Sequence, residues 1–321
     1  MRQAKTPPAI KKGQKDSRVT EVQSYLDFLS PRYWGAWLGI AGIYLMAWLP
    51  IVIRIQLSKA IAWVLFHAVS SRRKVAQTNI RLCFPNLTSA QQQDLVRQTF
   101  FSNTLNFFET AHAWCRPVTS VPFKVEGLEH YQAAVSSGKG VLVLSGHFGP
   151  IDILGALLIG KAEFSVVYRK HDNALINYFM TRARERYSKS TIARKDMKGL
   201  LRELRKGGAI WYAPDQDYGR KASIFVPFFG VNTATITMTS KLAKAGNATI
   251  LPVSAYRTSD HRGFVLKIEP PPQDMPSGDE QKDALWINQW LESKIRLHPE
   301  QYLWLHKRFK TRPEGEASLY R

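Results

Sequence analysis

The sequence has 321 residues, 45% of them hydrophobic, which is enough to bury a substantial core in one large or two ordinary domains. Lysine and arginine outnumber aspartate and glutamate by 45 to 25, a formal charge of +20, so anionic partners are expected: nucleic acid, anionic lipid or an acidic carrier protein. The two cysteines, Cys83 and Cys115, have neither metal-ligand spacing nor the density of a disulfide framework, and they read as core thiols in a reducing compartment.

Residues 1–30 carry Lys5, Lys11, Lys12, Lys15 and Arg18 among small and polar residues, the composition of a flexible basic tail. From Tyr33 to Ile53 no charge occurs, and Trp34, Trp37, Tyr44 and Trp48 lie toward the two ends. As one helix the run would reach about 31 Å, the thickness of a bilayer core, so 31–56 is expected to be a transmembrane or membrane-embedded helix. A buried core helix, or a helix kinked at Pro50 and lying partly in the interface, fits the same residues. Residues 58–70 add an apolar stretch suited to the bilayer surface.

A helix is expected from about Ser89, with Val96, Phe100, Phe107 and Ala111 at helical spacing. Its aromatic residues, Phe100, Phe101, Phe107, Phe108 and Trp114, suit the core or an acyl pocket. After Pro122 short apolar runs at Val141–Leu144, Phe164–Tyr168, Ala209–Ala213, Ile250–Tyr256 and Phe264–Ile268 alternate with helical patterns at 150–160, 174–187, 196–206 and 235–245. This alternation predicts an α/β domain over 57–321, a mainly parallel sheet flanked by helices, with chemistry at the carboxyl ends of the strands. A further helix is expected from Asp283 to Leu297, followed by the basic and aromatic run Trp304–Lys310, suited to a membrane interface or to packing back on the sheet. No Walker loop, dinucleotide fingerprint or zinc spacing occurs, and neither a cofactor nor a metal is expected.

The first strand run ends in Ser145-Gly146-His147-Phe148-Gly149-Pro150-Ile151-Asp152, which puts His147 at a strand-to-helix junction. On a continuous helix residues five apart diverge by about 140°, but a turn at Gly149 can fold His147 and Asp152 together. An imidazole held by a carboxylate through one nitrogen becomes a directed general base at the other. On spacing alone, a loop histidine followed by an aspartate complementing the helix dipole fits equally well. Two more strand ends carry polar clusters, Arg169 to Asn173 and Pro214 to Arg220, and Arg182, Arg184, Arg186, Arg194 and Lys195 lie between them. In isolation such a run is a solvated helix face; next to a His/Asp pair it fits a phosphate-recognising rim.

Taken together, the His147-x4-Asp152 motif, Tyr168-Arg169 with Asn173, Arg194-Lys195-Asp196-x-Lys198-Gly199, Trp211 to Gly219, Phe225 to Gly230 and Pro299 to Pro313 resemble the late acyltransferases of lipid A biosynthesis, the lauroyl-type members of the lysophospholipid acyltransferase superfamily. Many lauroyl-type members carry Glu at the position of Asp152, whereas the superfamily as a whole is similar to this chain in using Asp. The resemblance implies transfer of a fatty acyl group from acyl carrier protein to a hydroxyl of a Kdo-bearing, tetra-acylated lipid A precursor, in lipopolysaccharide biosynthesis. It also implies an inner-membrane protein, single-pass or monotopic, with its catalytic domain on the cytoplasmic face.

The mechanism expected from this is a His147/Asp152 dyad acting on the acceptor hydroxyl, with no acyl-enzyme, since Ser145 lacks a nucleophile elbow. Arg169, Asn173, Arg184, Arg194, Asp215 and Asp217 are the expected substrate-binding residues, Arg169 and Arg184 toward phosphate or thioester. Asp215 also fits a cap or an ion-pair partner of one of those arginines, a reading that does not exclude the functional one. Two other functions stay open: a glycerolipid acyltransferase of the lysophosphatidic acid type, and a membrane-tethered polyanion-binding protein. The aromatic residues cluster in apolar patterns instead of alternating with basic ones, so no nucleic acid partner is expected.

Overall fold

The structure, a computed structural model, describes residues 24–320. Most of the expected basic tail, residues 1–23, lies outside these. From Ser24 the chain is packed: Ser24 caps a short 3-10 helix, Tyr25–Phe28, and Phe28 is buried against Tyr33 and Tyr178.

The uncharged run does not form one helix. It gives α1 (Trp34–Trp48) and α2 (Ile51–Ala68), separated at Leu49 and Pro50. A proline disfavours helical backbone in the residue before it, and Leu49 is extended (φ −64°, ψ 139°). The 15 residues of α1 reach only about 22 Å. Among the described residues, α2 is the one helix long and apolar enough, by length and composition, to cross a membrane. Its buried side chains, Arg54, Ser58, Ala62 and Phe66, recur every fourth residue and turn inward. Arg54 donates to the Leu49 and Ala47 carbonyls at 2.7 and 3.2 Å, satisfying the open end of α1, and meets His112 Nδ1 at 2.9 Å. The outward residues of the pair are apolar: Trp34, Leu38, Leu45, Trp48, Trp63 and Val64 are all exposed.

Next come α3 (Ser70–Cys83) and the long α4 (Ser89–Cys115), which Thr88 and Gln91 start with a capping box. The remaining elements are β1 (Phe123–Glu126), α5 (Leu128–Ser136), β2 (Gly140–Leu144), α6 (Ile151–Leu157), β3 (Ser165–Tyr168), α7 (Ala174–Arg184), β4 (Ser190–Ala193), α8 (Met197–Arg205), β5 (Ala209–Tyr212), β6 (Ser223–Phe228), β7 (Val231–Ile236), α9 (Met238–Gly246), β8 (Ala248–Arg257), β9 (Phe264–Ile268) and α10 (Glu280–Ile295). The expected α/β class is the observed one. Strands β1 and β4 and the antiparallel pair β6–β7 are additional to the expected strands; β1 and β4 are only four residues long, and Pro227 interrupts the apolar run of β6.

Seven strands form one sheet in the order β1-β9-β8-β2-β5-β3-β4; the five from β8 to β4 are parallel, and β9 runs against β8. Strand β2 is buried along its whole length, as a run of Val and Leu predicts for a central parallel strand. Alternate residues feed two cores. Leu142, Leu144, Ile210 and Ile250 pack with α8, α9 and α10, while Val141, Val143, Trp211 and Leu251 pack with α5 and α6. The C-terminal run folds back onto the protein: Trp304 and Phe309 are fully buried, and Asn79 of α3 donates to the Trp304 and His306 carbonyls at 2.7 and 2.8 Å.

Candidate active site

Strands β2 and β5 are neighbours with Leu144 opposite Tyr212. The loops that leave them therefore start side by side, and the third residue of each, His147 and Asp215, meets the other. Asp215 accepts from the His147 backbone N–H at 2.8 Å and from ring Nδ1 at 2.5 Å. This two-point grip fixes the imidazole with its proton on Nδ1. The Gln216 amide donates to Nε2 at 3.2 Å, so Nε2 is the accepting nitrogen. Asp215 is buried, while the His147 side chain keeps 27% of its surface exposed.

Asp152 is not the partner of His147, contrary to the expectation from spacing. It sits in the first turn of α6, and other residues saturate its carboxylate. Arg184 binds it in a bidentate pair, Nε to Oδ1 at 2.7 Å and Nη2 to Oδ2 at 3.1 Å. Trp114 Nε1 donates to Oδ1 at 3.0 Å, and the Tyr187 hydroxyl donates to the same oxygen. Gly149 turns the chain (φ +50°) and its N–H donates to the Gln301 carbonyl at 2.8 Å, which sends the His147 loop toward β5 and not toward α6.

Electrostatics separates the two carboxylates. Burial alone would lower the basicity of His147, but the charge and hydrogen bond of Asp215 outweigh it and leave the imidazole above its ordinary pKa. Burial would raise Asp215; the His147 charge and hydrogen bonds, with a further one from the Tyr302 hydroxyl, hold it well below the usual carboxylate range. Asp152 is likewise held down against burial, by Arg184 first and then by the Tyr187 and Trp114 donors.

A cavity of about 740 Å³ opens over His147. Its polar rim includes Asp152, Arg169, Arg184, Arg194, Lys195 and Gln216, and its apolar wall includes Phe164, Met180, Met197, Leu200, Trp211 and Met238. Arg169, Arg184 and Arg194 thus line the cavity. Asn173 does not line it; its Oδ1 caps α7, accepting from the Ile176 N–H at 3.1 Å. Asp217 is also outside it, and ties the β5 loop to the C-terminal segment by accepting from the Thr311 backbone N–H and hydroxyl at 2.6 and 2.8 Å. The aromatic residues of α4 do not line the cavity. Phe100 and Phe108 are core, Phe107 is exposed, and α4 contributes Asn106 and Thr110 to the cavity.

Gln216, Tyr302, Tyr187 and Trp114 are the site groups that sequence reasoning missed. Gln216 lies inside the Pro214 to Arg220 cluster and was within reach of the strand-end argument. The others come from α4, the end of α7 and the C-terminal segment, which no local pattern connects to the His147 loop.

The site combines an imidazole oriented by a carboxylate, four basic side chains and an apolar wall, groups that suit acyl transfer to a hydroxyl. Residues 23–311 match the family described as bacterial lipid A biosynthesis acyltransferase. The lipid A biosynthesis palmitoleoyltransferase of Escherichia coli (strain K12) is 38% identical over 297 residues, 92% of this chain and 97% of that protein. The lauroyltransferase of the same organism is 38% identical over 296 residues, 91% and 96% of the two chains. Its myristoyltransferase is 29% identical over 299 residues, 92% of each. The chain is an acyltransferase and belongs to the bacterial lipid A biosynthesis acyltransferase family.

Proposed function

We propose that the chain moves a fatty acyl group from an acyl carrier protein thioester to a hydroxyl of a Kdo-bearing, tetra-acylated lipid A precursor, with His147 as general base and Asp215 as the group that orients it. The observation that carries this reading is the pairing of His147 Nδ1 with Asp215, which leaves Nε2 as the accepting nitrogen of a residue that lines the cavity, where the acceptor hydroxyl takes the place of the Gln216 amide. The acceptor hydroxyl attacks the thioester carbonyl while Nε2 takes its proton. The tetrahedral intermediate expels the carrier thiolate, which takes that proton from the imidazolium, giving ester and free thiol. Asp152 holds Arg184 in place, and Arg184 Nη1, which neither hydrogen bond to Asp152 uses, serves the developing oxyanion.

The rim cations Arg169, Arg194 and Lys195 suit an acidic carrier and a phosphorylated acceptor. The exposed apolar face of α1 and α2 supports membrane association, which this reading places at the cytoplasmic side of the inner membrane. The packing of α2 on α4 supports the monotopic form over a free span. Purified protein supplied with twelve-, fourteen- and sixteen-carbon acyl carrier thioesters should acylate the lipid A precursor, read by mass spectrometry of the product. Acylation of lysophosphatidic acid in its place would establish the glycerolipid reading. No transfer at all, with salt-sensitive polyanion binding, would establish the binding-protein reading.

A further inference from the structure

We propose that the protein carries a second lipid site, separate from the catalytic cavity, that takes an anionic amphiphile: a phosphate-type headgroup on an alkyl chain. The site is a cleft of about 500 Å³ between the C-terminal ends of α4 and α6 and the start of β1, within the size range of small-molecule sites. Its floor is apolar, formed by Val118, Val121, Phe123, Ala156 and Leu157, and its walls carry the cations Arg116, Lys161 and Arg186 with no carboxylate among them.

None of these cations forms an ion pair among the described residues. Two are held from behind by backbone. Arg186 Nη1 donates to the Trp114 carbonyl at 2.7 Å, and Arg116 Nη1 donates to the Ala47 carbonyl at 3.1 Å. The guanidinium groups are thus oriented while part of their donor set stays unused, an arrangement that suits phosphate oxygens. The Arg116 guanidinium also lies 4.4 Å over the ring of Trp48, which is exposed on the apolar face of α1. The cleft is therefore continuous with that face, and the choice of a lipid occupant rests on the reading that the face meets a membrane. Tyr187 is the one lining residue common to the cleft and the catalytic cavity, so its ring is the wall between them.

The test uses the full chain in dodecyl maltoside and, as probe, dodecyl phosphate with a photoreactive diazirine near the chain end, the labelled peptides being mapped by mass spectrometry. Saturable labelling of the segments around Val118–Phe123 and Ala156–Ile159 is expected. The double variant Lys161→Ala, Arg186→Ala should reduce it roughly ten-fold or more while labelling of the catalytic wall persists. Thr119→Glu, which adds a carboxylate at an exposed position of the cleft, should do the same. Excess inorganic phosphate should not displace the probe, and a diazirine-bearing dodecyl maltoside should not label the cleft. Labelling confined to the catalytic cavity, labelling unchanged in both variants, or full displacement by inorganic phosphate overturns the proposal. The readout needs no acyl donor, so loss of acyl transfer with cleft labelling intact would count against the catalytic reading alone.

Discussion

Two carboxylates serve the site, Asp152 on the cavity rim and Asp215 buried behind His147, and they are held in opposite ways. Asp215 leaves a strand end and grips a titratable partner that lines the cavity. Asp152 starts a helix and spends its oxygens on three permanent donors, Arg184, Tyr187 and Trp114. A carboxylate in the first arrangement tunes a base, whereas one in the second sets the position of a cation. Five residues of sequence separate His147 from Asp152 and 68 separate it from Asp215, yet the distant one is the partner.

The comparison can be broken at either carboxylate, and the largest effect is expected at the base itself. His147→Ala should lower acyl transfer by about 10²- to 10⁴-fold, with the melting temperature changed little, because the general base is removed. Near-wild-type turnover in a carrier-dependent assay would end the assignment. Asp215→Asn should cost a similar factor and leave a diagnostic in the pH profile. In the native enzyme the imidazole must be neutral to accept a proton, and its pKa is raised, so the rate should fall with acidification through a value above about 6.5. Removing the Asp215 charge should move that limb to lower pH; an unmoved limb would deny Asp215 its role.

Asp152→Asn provides the contrast, since it should leave the acid limb where it is and act through Arg184. Leaving that guanidinium without its counter-charge should destabilise the fold by about 3–5 kcal/mol, measured by denaturant unfolding. A shifted limb in this variant would restore Asp152 as the partner of His147. The smallest effect is expected at Asn173, the cap of α7, the helix that carries Arg184. Asn173→Ala should cost about 1 kcal/mol of stability and little of the maximal rate. A strong rise in KM for the acceptor alone would return Asn173 to the substrate-binding set.

Much of the architecture was legible in the chain because it is written locally. The buried run Val141–Leu144, the strand ends at Tyr168 and Tyr212 and the helices between them follow from hydrophobic period and turn residues. Edge elements were less visible. Strand β4, Ser190–Ala193, carries two hydroxyl residues and no apolar run, and it is a strand only because β3 lies beside it. Pro50 marks a break within the uncharged run, and the backbone restriction it imposes divides that run into α1 and α2.

By itself, then, the sequence determined the fold class, the family motifs, the position of His147 at a strand end and the cations that would gather around it. Only the tertiary structure decided which carboxylate serves that histidine. The adjacency of β2 and β5, with Leu144 level with Tyr212, follows from the order of strands in the sheet, and strand order is fixed by long-range packing of the whole domain. The capture of Asp152 by Arg184, Tyr187 and Trp114 likewise needs α4 and α7 to converge on the first turn of α6. No local pattern in any one of those segments encodes that convergence.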